Sequence, residues 1–172
     1  MRSFNVGWLS LLLVATSATT AATPDKDVER AARYAVELEK KPLATEAPDQ
    51  RQWLLHWVND TPDYTVTVCD VLAEGQKVGG PYSAELLAQQ LFGNVAYQIA
   101  HPAGRRDEIT LQMAGIESVL RTYRTLIAHD ASARVAYLDT LLDKERAGEL
   151  TAFMRPIIVQ RCMNRPDDST NT

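Results

Sequence analysis

The sequence has few residues of the types that most often carry chemistry. It contains only 2 cysteines and 3 histidines in 172 residues. It has no Cys-x-x-Cys, His-Glu-x-x-His or Gly-x-Ser-x-Gly, so no redox dithiol, zincin site or serine nucleophile elbow is indicated. The Gly-rich stretch 74–80 follows no predicted strand, which a phosphate or dinucleotide cradle requires. The sequence therefore favours a non-catalytic protein and predicts neither metal nor cofactor.

Positive charge is also scarce. The chain carries 18 Lys and Arg against 22 Asp and Glu, a formal net charge of −4. A nucleic-acid footprint needs a clustered excess of Lys and Arg, and attraction to anionic membrane needs the same excess. We therefore expect no nucleic-acid partner and no membrane surface as a partner. The oligomeric state is left open.

Long apolar runs are missing except at the start of the chain. Arg2 is the only charge before Asp25, and an apolar run at 6–15 leads into Ala, Thr and Ser. This order is typical of a secretory signal peptide, because about ten residues at roughly 1.5 Å each cannot cross a core near 30 Å thick. We predict a signal peptide over 1–22, a helical domain over 23–165 and a disordered tail over 166–172. The protein is then exported, to a periplasm or outside the cell.

The two cysteines are Cys69 and Cys162. In an exported chain, a minimal even number predicts one disulfide. Chain-entropy arguments give roughly 4–5 kcal/mol of stabilisation for a loop of about 94 residues. The alternatives are two buried thiols or a bond between chains.

Proline and glycine divide the rest of the chain into helical stretches. Pro at the start of a helix and Pro or Gly beyond its end are the signals used. They predict an all-α bundle of about seven helices, over Pro24–Lys41, Ala47–Asp60, Pro62–Glu74, Ser83–Ala100, Arg105–Ala128, Ala131–Ala147 and Glu149–Met163, the last interrupted by Pro156.

The third of these helices is ambiguous. Residues 64–69 alternate and are rich in β-branched side chains, which is typical of a strand. No other segment alternates in this way, so a strand would leave its backbone groups unpaired. We therefore predict a short helix from Pro62 to about Glu74.

The fifth helix has the clearest pattern. Its apolar residues recur at spacings of 4, 3, 4, 3 and 4, which predicts a narrow buried stripe. The stripe consists of Ile109, Met113, Ile116, Leu120, Tyr123 and Ile127. Glu117 and Arg121, four residues apart, are predicted to form an exposed ion pair.

The fourth helix carries amides and no charge between Leu86 and Gly104. Its amide residues are Gln89, Gln90, Asn94 and Gln98. One interpretation is a central helix buried on most sides. The other is an amide-lined groove that binds an extended partner or a polar ligand.

The second helix has an aromatic face. Trp53 and Trp57 are one turn apart, and His56 and Asp60 share a face beside them. Tryptophans in this arrangement usually anchor a core, but they can also form a binding platform. His56 and Asp60 have the spacing of two metal ligands, and the sequence marks no third.

These patterns predict an exported, non-catalytic helical protein that binds a protein or peptide partner. The predicted contact residues are Trp53, Trp57, His56, Asp60, Gln90 and Asn94. One alternative is a small-ligand carrier with a pocket between the second and fourth predicted helices. Another is a hydrolytic enzyme that uses His56 and Asp60.

Overall fold

Helices and the segments that join them make up the part of the chain that the computed structural model describes, which is residues 25–67, 69–72, 80–104 and 107–164. Over these residues the chain is all-helical, without strands, as the sequence predicts. The six α-helices are α1 (Lys26–Lys40), α2 (Ala47–Asp60), α3 (Ser83–Ala100), α4 (Glu108–His129), α5 (Ala136–Arg146) and α6 (Leu150–Ile158). The predicted signal peptide and tail lie outside the described residues.

Local signals set the ends of these helices. Asp25 caps α1, because its carboxylate accepts a hydrogen bond from the Asp27 amide at 3.0 Å. Pro48 lies in the first turn of α2, where a missing N–H costs nothing. The bounds of α2 and α3 agree with the sequence prediction. Before α5, a 3₁₀ turn at Ala131–Ala133 takes up residues predicted to be α-helical.

The predicted third helix, from Pro62 to about Glu74, is wrong. Residues 61–67 and 69–72 form neither helix nor strand, and residues 73 and 74 lie outside the described part. We call residues 61–67 and 69–72 the connecting segment. It joins α2 to the turn before α3.

The alternation in the connecting segment marks an extended backbone. Tyr64 and Val66 are half-buried, whereas Thr65 and Thr67 are exposed, as successive side chains of an extended chain must point to opposite sides. The prediction failed because it assumed that only a second strand could pair the backbone. Side chains from two helices do so instead.

Two glycines bring α3 and α4 into close contact. A Cβ on Gly93 would lie 2.2 Å from the Cβ of Ser118, and a Cβ on Gly115 would lie 2.6 Å from the Gln90 carbonyl oxygen. Neither position has room for a larger residue while the helices keep this separation. The glycines therefore set the distance between the two helices.

The predicted stripe of α4 is confirmed as a core face. Met113, Ile116, Leu120 and Tyr123 are buried, while Ile109 and Ile127 at its ends are half-buried and pack against the same cluster. This cluster joins α4 to α5, α6 and the connecting segment. A second cluster joins α1, α2 and α3, with Ala31, Ala35, Leu38, Ala47, Leu54 and Phe92 fully buried.

The ion pair predicted within α4 is replaced by one between helices. The Arg121 guanidinium donates to both carboxylate oxygens of Glu39 in α1, each at 2.8 Å. Ser118 also donates to Glu39, at 2.6 Å. The sequence spacing pointed to Glu117 because a local pair is all that periodicity can detect, whereas the packing of α1 on α4 supplies a closer carboxylate.

The predicted Cys69–Cys162 disulfide is present, with the Cα atoms 5.3 Å apart. α6 continues through Pro156, and the chain then widens into a π-helical turn at Val159–Met163 that carries Cys162. The disulfide therefore fastens the end of the helical bundle to the connecting segment.

Candidate binding site

Four aromatic side chains form a contiguous row on one side of the molecule. Trp53 and Trp57 stack in α2, with ring centroids 6.2 Å apart and planes 12° from parallel. Tyr34 of α1 meets Trp53 edge-on at 5.5 Å, and Tyr64 of the connecting segment meets Trp57 at 5.6 Å. We call these four residues the aromatic row. All four are half-buried, so each ring combines core packing with exposed surface.

A cation lies over one end of the aromatic row. The Arg30 guanidinium is 4.3 Å from the Trp53 ring centroid and 5.1 Å from that of Tyr34, within the range of a cation–π contact. Arg30 and Tyr34 are one turn apart in α1, which places both beside α2. The contact gives that end of the row a positive charge.

His56 and Asp60 are exposed and lie on the same helix as the tryptophans. Asp60 accepts a hydrogen bond from Asn59 Nδ2 at 3.0 Å. Among the described residues, no hydrogen bond joins His56 to Asp60. The structure thus places both residues on the solvent side of α2 without bringing them together.

The four amides of α3 are buried, with at most 8% exposure each. Gln98 Nε2 donates to the Thr65 carbonyl oxygen at 2.9 Å and to Asn94 Oδ1 at 2.8 Å. Gln89 donates to the Ala35 carbonyl oxygen at 3.0 Å. Gln89 and Gln98 therefore bind the backbone of neighbouring segments of the same chain. The burial of all four amides agrees with the interpretation of a central helix buried on most sides.

Gln112 of α4 completes the same arrangement, although its position gave no signal in the sequence. Its Nε2 donates to the Thr67 carbonyl oxygen at 2.8 Å, and its Oε1 accepts from Gln90 Nε2 at 3.2 Å. Alternate carbonyls of the connecting segment, at Thr65 and Thr67, are thus paired by amide side chains from two helices. An isolated extended segment is stable here because these amides replace a second strand.

A cavity of about 270 Å³ lies between the connecting segment and the amide side chains of α3 and α4. Its lining residues are Val66, Thr67, Cys69, Asp70, Leu87, Gln90, Leu91, Asn94 and Gln112. Leu91 also packs against the core cluster of α1, α2 and α3, as Trp53 and Trp57 do. The carrier hypothesis placed a pocket between α2 and α3, but no residue of α2 lines this cavity.

One group of potential metal ligands is found among the described residues, and it includes neither His56 nor Asp60. It consists of Cys69, Cys162 and Glu108, with ligand atoms within 4.8 Å of one another. Both cysteines are joined in the disulfide, so the Glu108 carboxylate is the one potential ligand that remains in the group. Thr67 and Gln112 each donate a hydrogen bond to that carboxylate.

Comparison with protein-family models, curated proteins and solved structures finds no match for this chain. None of the helices in the described ranges combines the length and apolar character needed to cross a bilayer.

Proposed function

We propose that this protein is exported and binds a protein or peptide partner through the aromatic row, without turnover. The observation that carries the proposal is the row itself: four half-buried rings in unbroken contact, at centroid distances of 5.5 to 6.2 Å. Trp and Tyr dominate binding energy at protein interfaces because they bury a large, rigid surface at a small cost in side-chain entropy.

The immediate surroundings of the row suit a protein partner. Arg30 provides a cation at one end, and exposed His56 and Asp60 provide polar groups on the same helix. A ring of polar residues around an aromatic centre is the usual anatomy of a protein interface.

Export is supported by two features of the chain. The segment 1–22 has the charge, apolar run and small residues of a signal peptide. The disulfide joins residues 93 positions apart, and such bonds persist in oxidising compartments. We propose a periplasmic or extracellular location on these grounds.

The hydrolase hypothesis has less geometric support. A general base needs hydrogen-bond reach to the group that it activates and a partner that orients it. His56 and Asp60 lie exposed and are not joined to each other, and neither lines the cavity beside the connecting segment. The binding hypothesis uses the same helix without requiring such an arrangement.

Affinity capture tests the proposal. The mature chain, residues 23–172, serves as bait in an extract of its native compartment, and the captured protein is then purified and titrated. Trp57→Ala should weaken the binding by about tenfold or more, the effect of losing an aromatic hot spot. Leu55→Ala, on the same helix, should change it less than about threefold. Both variants are first checked for native helicity and cooperative unfolding.

A partner that binds the Trp57→Ala variant as tightly as the unmodified chain would overturn the proposal. If the Trp57→Ala variant does not fold, Arg30→Glu is tested instead. This substitution in α1 reverses the charge that lies over the Trp53 ring. That reversal should also weaken binding, because it replaces a cation at the rim of the contact with an anion.

A further inference from the structure

The cavity between the connecting segment and α3 is large enough for a small ligand. Its volume of about 270 Å³ exceeds that of an engineered cavity of about 150 Å³ that accepts benzene. It is smaller than most sites for drug-sized ligands, which begin near 300 Å³. A single amino-acid residue with its flanking peptide units has a volume of this order.

The wall of the cavity combines amide and aliphatic groups. Gln90 and Asn94, one turn apart on α3, line it beside Leu87 and Leu91. None of its described lining residues is Lys, Arg or His, and the one charged group is the carboxylate of Asp70. The Asp70 carboxylate is itself paired with the Arg161 guanidinium at 3.6 Å. The described part of this wall therefore suits an uncharged ligand and disfavours an anion, because none of its described lining residues is a cation that would offset the cost of desolvating the anion.

The amides that line the cavity can still bond to a ligand. Gln90 uses one N–H for Gln112, and Asn94 uses its oxygen for Gln98. A side-chain amide has two N–H donors and an oxygen with two lone pairs. Each residue therefore keeps both donor and acceptor capacity beyond the bond described.

The same face already binds extended backbone. Gln98 and Gln112 hold the carbonyls of Thr65 and Thr67 at 2.9 and 2.8 Å. We propose that the cavity is a binding site for an uncharged peptide segment with an aliphatic side chain, its peptide groups bonded to Gln90 and Asn94 and its side chain against Leu87 and Leu91. The site uses no residue of the aromatic row, so either proposal can fail while the other stands.

Three N-acetylated amino-acid derivatives test the site by titration into the ¹⁵N-labelled mature chain. N-acetyl-leucinamide is the first probe, and the side-chain NH₂ signals of Gln90 and Asn94 are followed. They should shift with a dissociation constant in the millimolar range, as expected for a ligand of about a dozen heavy atoms. N-acetyl-leucine, whose carboxylate replaces the amide, should bind about tenfold more weakly, and so should N-acetyl-glycinamide, which lacks the aliphatic group.

A matched pair of variants locates the binding. Leu87 is 47% exposed and lines the cavity, whereas Leu55 is 45% exposed on α2. Leu87→Arg should abolish the shifts by filling the cavity, and Leu55→Arg should leave them unchanged. No shift at Gln90 and Asn94, equal affinity for the three probes, or unaltered binding by folded Leu87→Arg would each overturn the proposal.

Discussion

Gln98 of α3 donates a hydrogen bond from Nε2 to the backbone carbonyl oxygen of Thr65, at 2.9 Å. This bond joins a buried amide to an extended segment that has no neighbouring strand in the described chain. It explains why α3 carries amides where a buried helix ordinarily carries apolar residues. It also explains how the connecting segment stays extended beside the bundle.

The hydrogen bonds donated by the Gln98 side chain should contribute measurably to stability. Gln98→Ala removes the partner of the Thr65 carbonyl and that of Asn94 Oδ1. We expect it to lower the free energy of unfolding by about 1–3 kcal/mol, the usual cost of a buried polar group that loses its partner. Urea unfolding followed by circular dichroism measures the change.

Gln52 provides the control, because it lies exposed on α2. Gln52→Ala should alter the free energy of unfolding by less than about 0.5 kcal/mol, as is usual for surface positions. Equal effects of the two substitutions would show that the Gln98 bonds do not hold the connecting segment.

The contact between α3 and α4 should depend on Gly93. Gly93→Ala places a Cβ 2.2 Å from that of Ser118, so the helices must separate, and overpacking of this kind costs about 1–3 kcal/mol. Ser118→Gly removes the opposing Cβ, although it also removes the hydroxyl that donates to Glu39. The double variant should therefore lose less stability than the sum of the two single variants, and strict additivity would contradict the close contact.

The disulfide should stabilise the fold through its long loop. Cys69→Ser should reduce the free energy of unfolding by about 2–5 kcal/mol. Cys162→Ser should have the same effect, and a dithiol reductant should lower the stability of the unmodified chain alone. Non-reducing mass analysis checks the bond directly. Two thiols that alkylate in the native protein would refute it.

Lowering the pH should remove the contribution of Asp130 to the free energy of unfolding. Its carboxylate accepts bonds from the Ser132 hydroxyl and amide and from the Tyr82 hydroxyl, which lower the pKa of Asp130 below the ordinary 3.8. Because the folded pKa lies below the unfolded one, this stabilisation is present above the unfolded pKa and is lost as pH falls through the folded value.

The variant Asp130→Asn tests this linkage. It should be less stable than the unmodified chain at pH 7, and the difference should shrink below about pH 4. Urea midpoints across that range give the measurement, with Asp49→Asn, at an exposed position of α2, as the control. A difference that does not vary with pH would contradict the role of the carboxylate.

Hydrophobic periodicity and the positions of Pro and Gly sufficed to predict the six observed α-helices, but they also predicted a third helix that the described residues do not form. The Pro and Gly positions predict α2 and α3 to within about a residue, and the apolar spacing predicts the core stripe of α4. The connecting segment could not be predicted in this way, because its backbone partners Gln98 and Gln112 are remote in sequence. The Arg121–Glu39 pair could not be predicted for the same reason, because it depends on how α1 packs against α4.

The candidate site was only partly visible in the sequence. The spacing of Trp53 and Trp57 predicts an aromatic face. Tyr34 and Tyr64 join the row through tertiary packing, which the sequence does not show. Gln90 and Asn94 were predicted as contacts of a partner, and they line a cavity beside the chain's own connecting segment. Neither Thr67 nor Gln112 could be singled out, because a hydrogen bond between distant segments leaves no periodic signal.

The central claim, that the aromatic row contacts the partner, can be tested by tryptophan fluorescence. The sequence has 3 tryptophans, and a chain that begins at Thr23 lacks Trp8, so its emission reports on Trp53 and Trp57 alone. Acrylamide should quench these half-buried indoles in the free protein, and saturation with the purified partner should protect them and shift their emission. A partner that binds while the emission and the quenching of both indoles stay unchanged would contradict the account.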